Sequence, residues 1–543
     1  MAPDPDPDTR AELGRLLAAG DGGGLADRFS GPLEFGTAGL RGAIGAGPHR
    51  MNRVVVQRAA AGFVDYLGDG ATVVVGYDAR HKSDVFAEDT ARVVAAAGGR
   101  ALVLPRALPT PVLAFAVRHF GASGGVMVTA SHNPLTDNGY KVYLADGAQI
   151  VPPHDSAISG RIRLAAERPI ELASPEDPAI VRVGDEVVDA YLDMVAAQRH
   201  TTDTDDLAVV YTAMHGVGRD VLLAAFDRCG LAPPSVVAAQ AEPDPDFTTV
   251  SFPNPEEPGA LDLALALAAE VGADLVIAND PDADRLGVAV PSAGGWQALT
   301  GNEIGVILAD HILRHTTGDD RLVVTTIVSS RLLGRMAASA GVRYAETLTG
   351  FKWIVRPGLE DPSVRFVFGY EEALGYSVTA DVADKDGITA AVVFVEVAGA
   401  LVRRGLTVLS RLDELAVEHG LHATETWSVR VDQLGRIAEI MAFARSEPPQ
   451  ELAGHTVTRV HDYAEGSDGL LPTDAVEWQL GDDVRVVVRP SGTEPKVKVY
   501  IEVVVSVADG DVVAARSSAA AQLAALKADL ESHLGIAPGG RMS

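Results

Sequence analysis

Short apolar runs alternate along the chain with apolar stripes at helical spacing. The alternation predicts an α/β layer architecture with largely parallel sheets. An amphipathic start over 11–26 leads into the octet Phe35-Gly-Thr-Ala-Gly-Leu-Arg-Gly42, whose three glycines read as a loop. The first block then has helix 54–67, strand 71–75, helix 86–97, strand 100–104, helix 110–120 and strand 125–129. A second block has strand 206–211, helices 219–226 and 260–271, and strand 275–278. A third has helix 302–314, strand 321–325, helix 330–340, strand 365–368 and helix 387–403. The last block differs. Strands near 425–431, 456–460, 484–488 and 496–507 precede a final helix over 514–530, which predicts a smaller α+β unit. The expected units are 1–200, 201–315, 316–415 and 416–543, with a linker near 408–424.

Composition adds limits. At 543 residues the chain has room for three or four domains. A hydrophobic fraction of 47% supports several cores and excludes a disordered or fibrous chain. The net charge of -29 argues against a general nucleic-acid or anionic-membrane binder. Its main reading is surface solubility. A single cysteine, Cys229, excludes an intramolecular disulfide and fits a reducing compartment. The first ten residues have no apolar h-region, and no run reaches the roughly 18 apolar residues of a membrane span. A cytoplasmic protein with no membrane and no nucleic-acid partner is expected. Only seven of the 45 basic residues are Lys, so a Lys among turn residues stands out.

The polar motifs sit just after apolar strands, where function sits in open α/β sheets. Asp280-Pro-Asp282-Ala-Asp284 places carboxylates at every second position. They could converge on a hard divalent ion such as Mg²⁺, or form a solvated acidic turn. The EF-hand spacing is missing. Thr129-Ala-Ser131-His132-Asn133-Pro134 puts a hydroxyl at a strand end, as a nucleophile, a phosphate carrier or a plain Ser turn. It lacks the G-x-S-x-G elbow. Lys141 brings a cation soon afterwards. Arg489-Pro-Ser491-Gly492-Thr493-Glu-Pro-Lys496 combines hydroxyls, backbone and cations suited to a phosphate monoester, or makes a surface turn. Glu371 and Glu372 could bind sugar hydroxyls. Asp384-Lys385-Asp386-Gly387 opens a helix, where Asp and Gly also cap.

Together these motifs, with Gly369-Tyr-Glu-Glu-Ala-Leu-Gly375, the 35–42 octet and Thr349-Gly-Phe-Lys352, resemble the α-D-phosphohexomutase superfamily over about 30–507. The match is to the branch of phosphoglucomutase 2-like, phosphopentomutase and bacterial phosphomannomutase-like enzymes. The resemblance implies three similar α/β domains around a cleft and a C-terminal α+β lid like the TATA-binding-protein fold. It implies phosphoserine at Ser131, and Mg²⁺ held by Asp280, Asp282, Asp284 and the Ser131 phosphate. Arg41, His132, Lys141 and Lys385 would surround the reacting phosphoryl group. Arg285 would lie near the substrate, Thr349 and Gly350 would border the sugar, and Glu371 would bind its hydroxyls. Arg489, Ser491, Gly492 and Thr493 would grip the other phosphate. The implied reaction interconverts glucose 1-phosphate and glucose 6-phosphate, and mannose phosphates with them, through bound hexose 1,6-bisphosphate. Phosphomannomutase or phosphopentomutase as the main activity is the alternative, and a non-catalytic sugar-phosphate binder is a further one. Ala373 stands where many relatives have Ser, which leaves the sugar open. Lys385 or Lys141 is expected to act as base if nearby cations lower its pKa. The expected partner is a small sugar phosphate, and the protein a monomer or homodimer.

Overall fold

The computed structural model describes residues 4–33, 39–202, 204, 206–431, 434–466, 469–491 and 496–536. Four sheets carry the described residues. In the first, Gly124–Val128, Thr72–Tyr77, Arg100–Val103 and Ile180–Arg182 run parallel. Asp137–Leu144 adds antiparallel to Gly124–Val128, and Leu40–Ala43 adds antiparallel to Asp137–Leu144. The second sheet centres on the parallel pair Val209–Thr212 and Leu275–Ala278, with Gly287–Ser292 antiparallel beside it. The third has Arg343–Thr347, Arg321–Thr326 and Arg365–Glu371 in parallel, with Gly375–Ser377 antiparallel at the edge. All three units thus share one plan, a parallel centre flanked by one reversed strand. The strands before the motifs, Gly124–Val128 and Leu275–Ala278, are buried throughout, which is why they read as unbroken apolar runs.

The C-terminal sheet is wholly antiparallel, in the order Leu421–Arg430, Lys496–Val505, Val484–Pro490, Val476–Leu480, His455–Asp462 and Glu451–Leu452. Helices Leu434–Ser446 and Val512–His533 pack on it. One apolar core runs continuously through the first three units, whereas this sheet has a core of its own around Trp478, Val486 and Ile501. Three α/β units and a C-terminal α+β unit are therefore present. Among the described residues no helix is long and apolar enough to cross a membrane.

Several expectations need correction. The stretch 11–26 is two helices, Pro7–Ala19 and Gly22–Arg28, broken where Gly20 takes a left-handed conformation (φ 64°). The 40–42 part of the glycine octet is strand, because Asp137–Leu144 supplies a hydrogen-bonding partner nearly a hundred residues away. The linker expected at 408–424 is instead helix Val408–His419 followed directly by strand Leu421–Arg430. A Thr407/Ser410 capping box starts that helix, and Leu412, Leu415 and Ala416 bury one face. Glu371 lies on its strand rather than after it. Helix Gly301–His315, assigned to the second unit by the division at 315, packs on the third sheet. Gly305 sits so close to the Tyr370 ring that an added Cβ would lie 2.6 Å from it.

Candidate active site

The Gly124–Val128 strand delivers Ser131 into a left-handed backbone conformation (φ 52°), which costs a non-glycine residue energy and needs support. Buried Arg80 supplies it. Its guanidinium donates to the carbonyls of Ser131 (2.6 Å), Asn133 (2.5 Å), Pro134 (2.9 Å) and Asp137 (3.2 Å). The Ser131 N–H donates to Thr129 Oγ1 at 2.9 Å. Ser131 Oγ is thereby aimed at the second unit, where it donates to Asp280 Oδ2 at 2.6 Å. His132 Nδ1 lies 3.1 Å from the same oxygen.

Asp280, Asp282 and Asp284 form the loop after Leu275–Ala278, and one oxygen of each falls within 4.8 Å of the others. All three units hold this loop. Thr110 of the first donates its N–H to the Asp282 carbonyl (2.9 Å) and its hydroxyl to Asp282 Oδ2 (2.6 Å). In the second, the Val217 N–H donates to the Pro281 carbonyl at 2.9 Å. From the third, the Gly387 N–H reaches the Ala283 carbonyl at 3.2 Å. A Cβ on Gly216 would lie 2.3 Å from Pro281 Cα, so only glycine admits the loop there.

The cations converge on the same place. Lys141 Nζ donates to Asp282 Oδ2 (2.7 Å) and Asp284 Oδ2 (2.8 Å), and Lys385 Nζ lies 3.2 Å from Asp284 Oδ2. Lys385 is directed there because Tyr143 and Gln149 hold the neighbouring Asp384 at 2.8 and 2.7 Å. Tyr191 donates to Asp386, which caps the helix Gly387–Arg403. Asp282 Oδ1 and Asp284 Oδ1 are buried and accept no hydrogen bond from the described residues. Unsatisfied anionic acceptors of this kind fit a hard divalent cation, and the acidic triad could hold one.

The charges act on one another. Burial, reinforced by repulsion from Asp282 and Asp284, pushes the Asp280 carboxyl well above the usual carboxylate range. Burial would raise Asp284 as well, but Lys141 and Lys385 outweigh it and hold that group far below. Burial acts to lower both lysines, yet the facing carboxylates prevail and raise Lys141 and Lys385 above the usual ammonium value. The expected lowering by neighbouring cations is therefore the reverse of what this arrangement produces, and both lysines stand as charged donors. Burial, then the Arg285 and Arg41 guanidiniums, hold the His132 imidazole well below its ordinary value.

Above this floor opens a cleft of about 680 Å³, lined by all four units. Arg41, His132 and Lys141 enter from the first unit and Arg285 from the second. Thr349, Gly350, Glu371 and Lys385 come from the third, and Arg489 and Ser491 from the fourth. Ser131, Asp280, Asp282 and Asp284 lie buried at its base. Gly492 and Thr493 lie outside the described residues. Arg41 reaches Asn133 at 3.2 Å, because its strand pairs with the one bearing Lys141.

Sequence reasoning missed three contributors. Arg80 follows the strand Thr72–Tyr77, but its partners are carbonyls of a distant loop, which no local pattern announces. Lys352 was visible in Thr349-Gly-Phe-Lys352 without a role. It is buried at the cleft wall, where it forms no hydrogen bond or ion pair with the described residues and faces the Trp353 ring at 5.8 Å. Lys498 alternates in register along a strand that points it into the cleft.

Comparison with known proteins agrees with this layout. The models of Phosphoglucomutase/phosphomannomutase alpha/beta/alpha domains I, II and III match residues 32–168, 189–294 and 300–417, and that of the C-terminal domain matches 436–519. A probable phosphomannomutase of Haemophilus influenzae is 45% identical over 83% of this chain and 93% of its own length. A probable phosphoribomutase of Schizosaccharomyces pombe is 36% identical over 92% of this chain and 91% of its own. The crystal structure of a putative phosphomannomutase from Thermus thermophilus superposes with a TM-score of 0.67 at 27% identity, covering 91% of this chain and 99% of that one. With all four domain types matched in order and a cleft built from all four, the chain belongs to the phosphoglucomutase/phosphomannomutase family of the α-D-phosphohexomutase superfamily, whose members are phosphotransferring mutases.

Proposed function

We propose that this enzyme interconverts hexose 1-phosphate and hexose 6-phosphate, glucose with mannose beside it, through phosphorylated Ser131 and a bound hexose 1,6-bisphosphate. What supports this reading is the 2.6 Å contact of Ser131 Oγ with the acidic triad beside a cleft that Lys141 and Lys385 line from the first and third units and Arg489 and Lys498 from the fourth. Cations brought by separate units suit a sugar that carries two phosphates.

In the first half-reaction the Ser131 Oγ–P bond breaks as a sugar hydroxyl forms a new O–P bond. The hydroxyl proton leaves to a base, and the serine oxygen is reprotonated. The bisphosphate then turns, and the reverse step phosphorylates Ser131 from the opposite end. Lys141, Lys385 and Arg41 donate to the transferring oxygens, where charge builds up. Asp280, Asp282 and Asp284 would hold Mg²⁺, which when bound supplies further neutralisation of that charge. Glu371 accepts from sugar hydroxyls, and Arg285 borders the ring. Arg489 and Ser491, with Gly492 and Thr493, grip the phosphate that is not reacting.

A second reading is pentose phosphate as the main substrate, favoured by the phosphoribomutase that aligns over 92% of this chain. Assaying glucose, mannose and ribose 1-phosphates side by side, with Mg²⁺ and the matching bisphosphate, separates the two. Hexose turnover at least about tenfold above ribose in kcat/KM supports the first reading. The opposite order removes it. Release of inorganic phosphate at the rate of substrate loss would show a phosphatase instead.

Lys352 carries a prediction of its own. Lys352 is buried with no hydrogen bond or ion pair to the described residues, and burial lowers its pKa against the attraction of Asp155, so its charge costs the free protein stability. Lys352→Met is expected to leave the melting temperature unchanged or higher while raising KM for sugar phosphate about tenfold. Unchanged KM would remove Lys352 from the substrate's surroundings.

A further inference from the structure

The C-terminal sheet meets the third unit through one face, and strand alternation arranges that face in rungs. On Lys496–Val505, residues 497, 499, 501 and 503 point into the sheet's own core. Lys496, Lys498, Tyr500 and Glu502 point the other way. Register places Arg489 and Ser428 beside Lys498, Val487 and Thr426 beside Tyr500, and Arg485 and Thr424 beside Glu502. Lys498 and Arg489 line the cleft. In the middle, Val487 and Tyr500 pack on Ile327, Val328 and Leu348 of the third unit. At the far end lies Glu502, buried to 3% exposure.

Glu502 collects donors from both bodies. Oε1 accepts from the Ser330 hydroxyl (2.8 Å) and the Arg331 N–H (2.9 Å) of the third unit, and lies 2.9 Å from His422 Nδ1. Oε2 accepts from Arg331 Nε at 2.7 Å and lies 3.4 Å from Arg485 Nη2. Arg485 in turn donates to the Ser329 carbonyl at 2.5 Å. Burial alone would raise this carboxyl, but His422 and Arg485 hold it well below the usual range. The same turn of the third unit reaches the sugar end of the cleft, since Ser329 Oγ donates to Glu372 at 3.3 Å.

We infer that Glu502 is a positioning residue. Its anchorage to Ser330 and Arg331 fixes the tilt of the C-terminal sheet and so places Arg489 over the cleft. The two rungs are four residues apart, about 13 Å along the strands. The apolar Val487–Tyr500 contact between them acts as a fulcrum, so a small rotation at Glu502 becomes a displacement of ångströms at Arg489. The inference rests on the proposed reading of Arg489 as a grip for the non-reacting phosphate.

A double-mutant cycle tests it. Steady-state kinetics with the preferred sugar phosphate and excess bisphosphate are measured for wild type, Glu502→Gln, Arg489→Met and the double variant. Expected is a rise of about tenfold in KM for Glu502→Gln with kcat within about threefold, and less than about twofold extra in the Arg489→Met background. A merely structural role would cost the same factor in both backgrounds, and that result overturns the inference, as does an unchanged KM in Glu502→Gln. Arg331→Gln, at a partly exposed position, repeats the cycle should Glu502→Gln fold poorly, with the same pattern expected on a smaller scale and the same outcomes decisive. If wild type shows no turnover, or Arg489→Met leaves KM unchanged, the reading of the cleft fails instead.

Discussion

Ser131→Ala is expected to lower mutase turnover by about ten-thousand-fold or more, because it removes the hydroxyl that faces Asp280 and would carry the phosphoryl group. The substitution is structurally mild. Alanine keeps the Cβ that serine already places in the left-handed backbone, and the Arg80 contacts run to carbonyls, which every residue has. The melting temperature is therefore expected to stay within a few degrees of wild type. Incubation with hexose 1,6-bisphosphate followed by intact-protein mass spectrometry should show one phosphoryl group on wild type and none on the variant. Full turnover in Ser131→Ala, or a phosphoryl group on another residue of wild type, would end the phosphoserine mechanism.

Asp280→Asn is expected to reduce turnover about a thousandfold at saturating Mg²⁺ and at the same time to stabilise the metal-free protein. The second half follows from the direction of the shift. Asp280 is harder to ionise in the folded protein than in the unfolded chain, through burial and the carboxylates of Asp282 and Asp284. Below the unfolded pKa both states are protonated and the group costs nothing. As pH rises through the unfolded and then the raised folded pKa, the unfolded state gains, so the penalty is fully present above the latter. An amide of the same shape never ionises and escapes it. Thermal melts in a chelator should place Asp280→Asn above wild type at neutral pH, with the gap closing toward pH 3. A lower melting temperature at neutral pH would show that the Ser131 hydrogen bond outweighs the repulsion. Activity within tenfold of wild type would remove Asp280 from the metal site.

Such conflict between function and stability is part of why the site was legible in the sequence. A buried parallel strand is an unbroken apolar run, so the triad at 280–284 and the serine at 131 stood out as polar residues where a sheet ends. Elements built from local periodicity, such as helix Gly387–Arg403 and strand Leu275–Ala278, were readable with their boundaries. What stayed hidden depends on partners far along the chain. Strand Asp137–Leu144 carries Asn138 and Lys141, polar residues that blur its apolar pattern, and it is a strand because Gly124–Val128 and Leu40–Ala43 pair with it. Arg80 is intelligible only once a distant loop of its own unit, and Glu502 only once a turn of the third unit, has been brought against it.

Ser131 and Asp280 sit in different units, and Thr110 and Lys141 cross the same seam. The candidate active site is thus an interface. A slip of about one ångström between the two units would part Ser131 from Asp280. Because one apolar core runs through both units, the packing that holds the strands also holds this seam, and loss of activity on heating reports on that shared core.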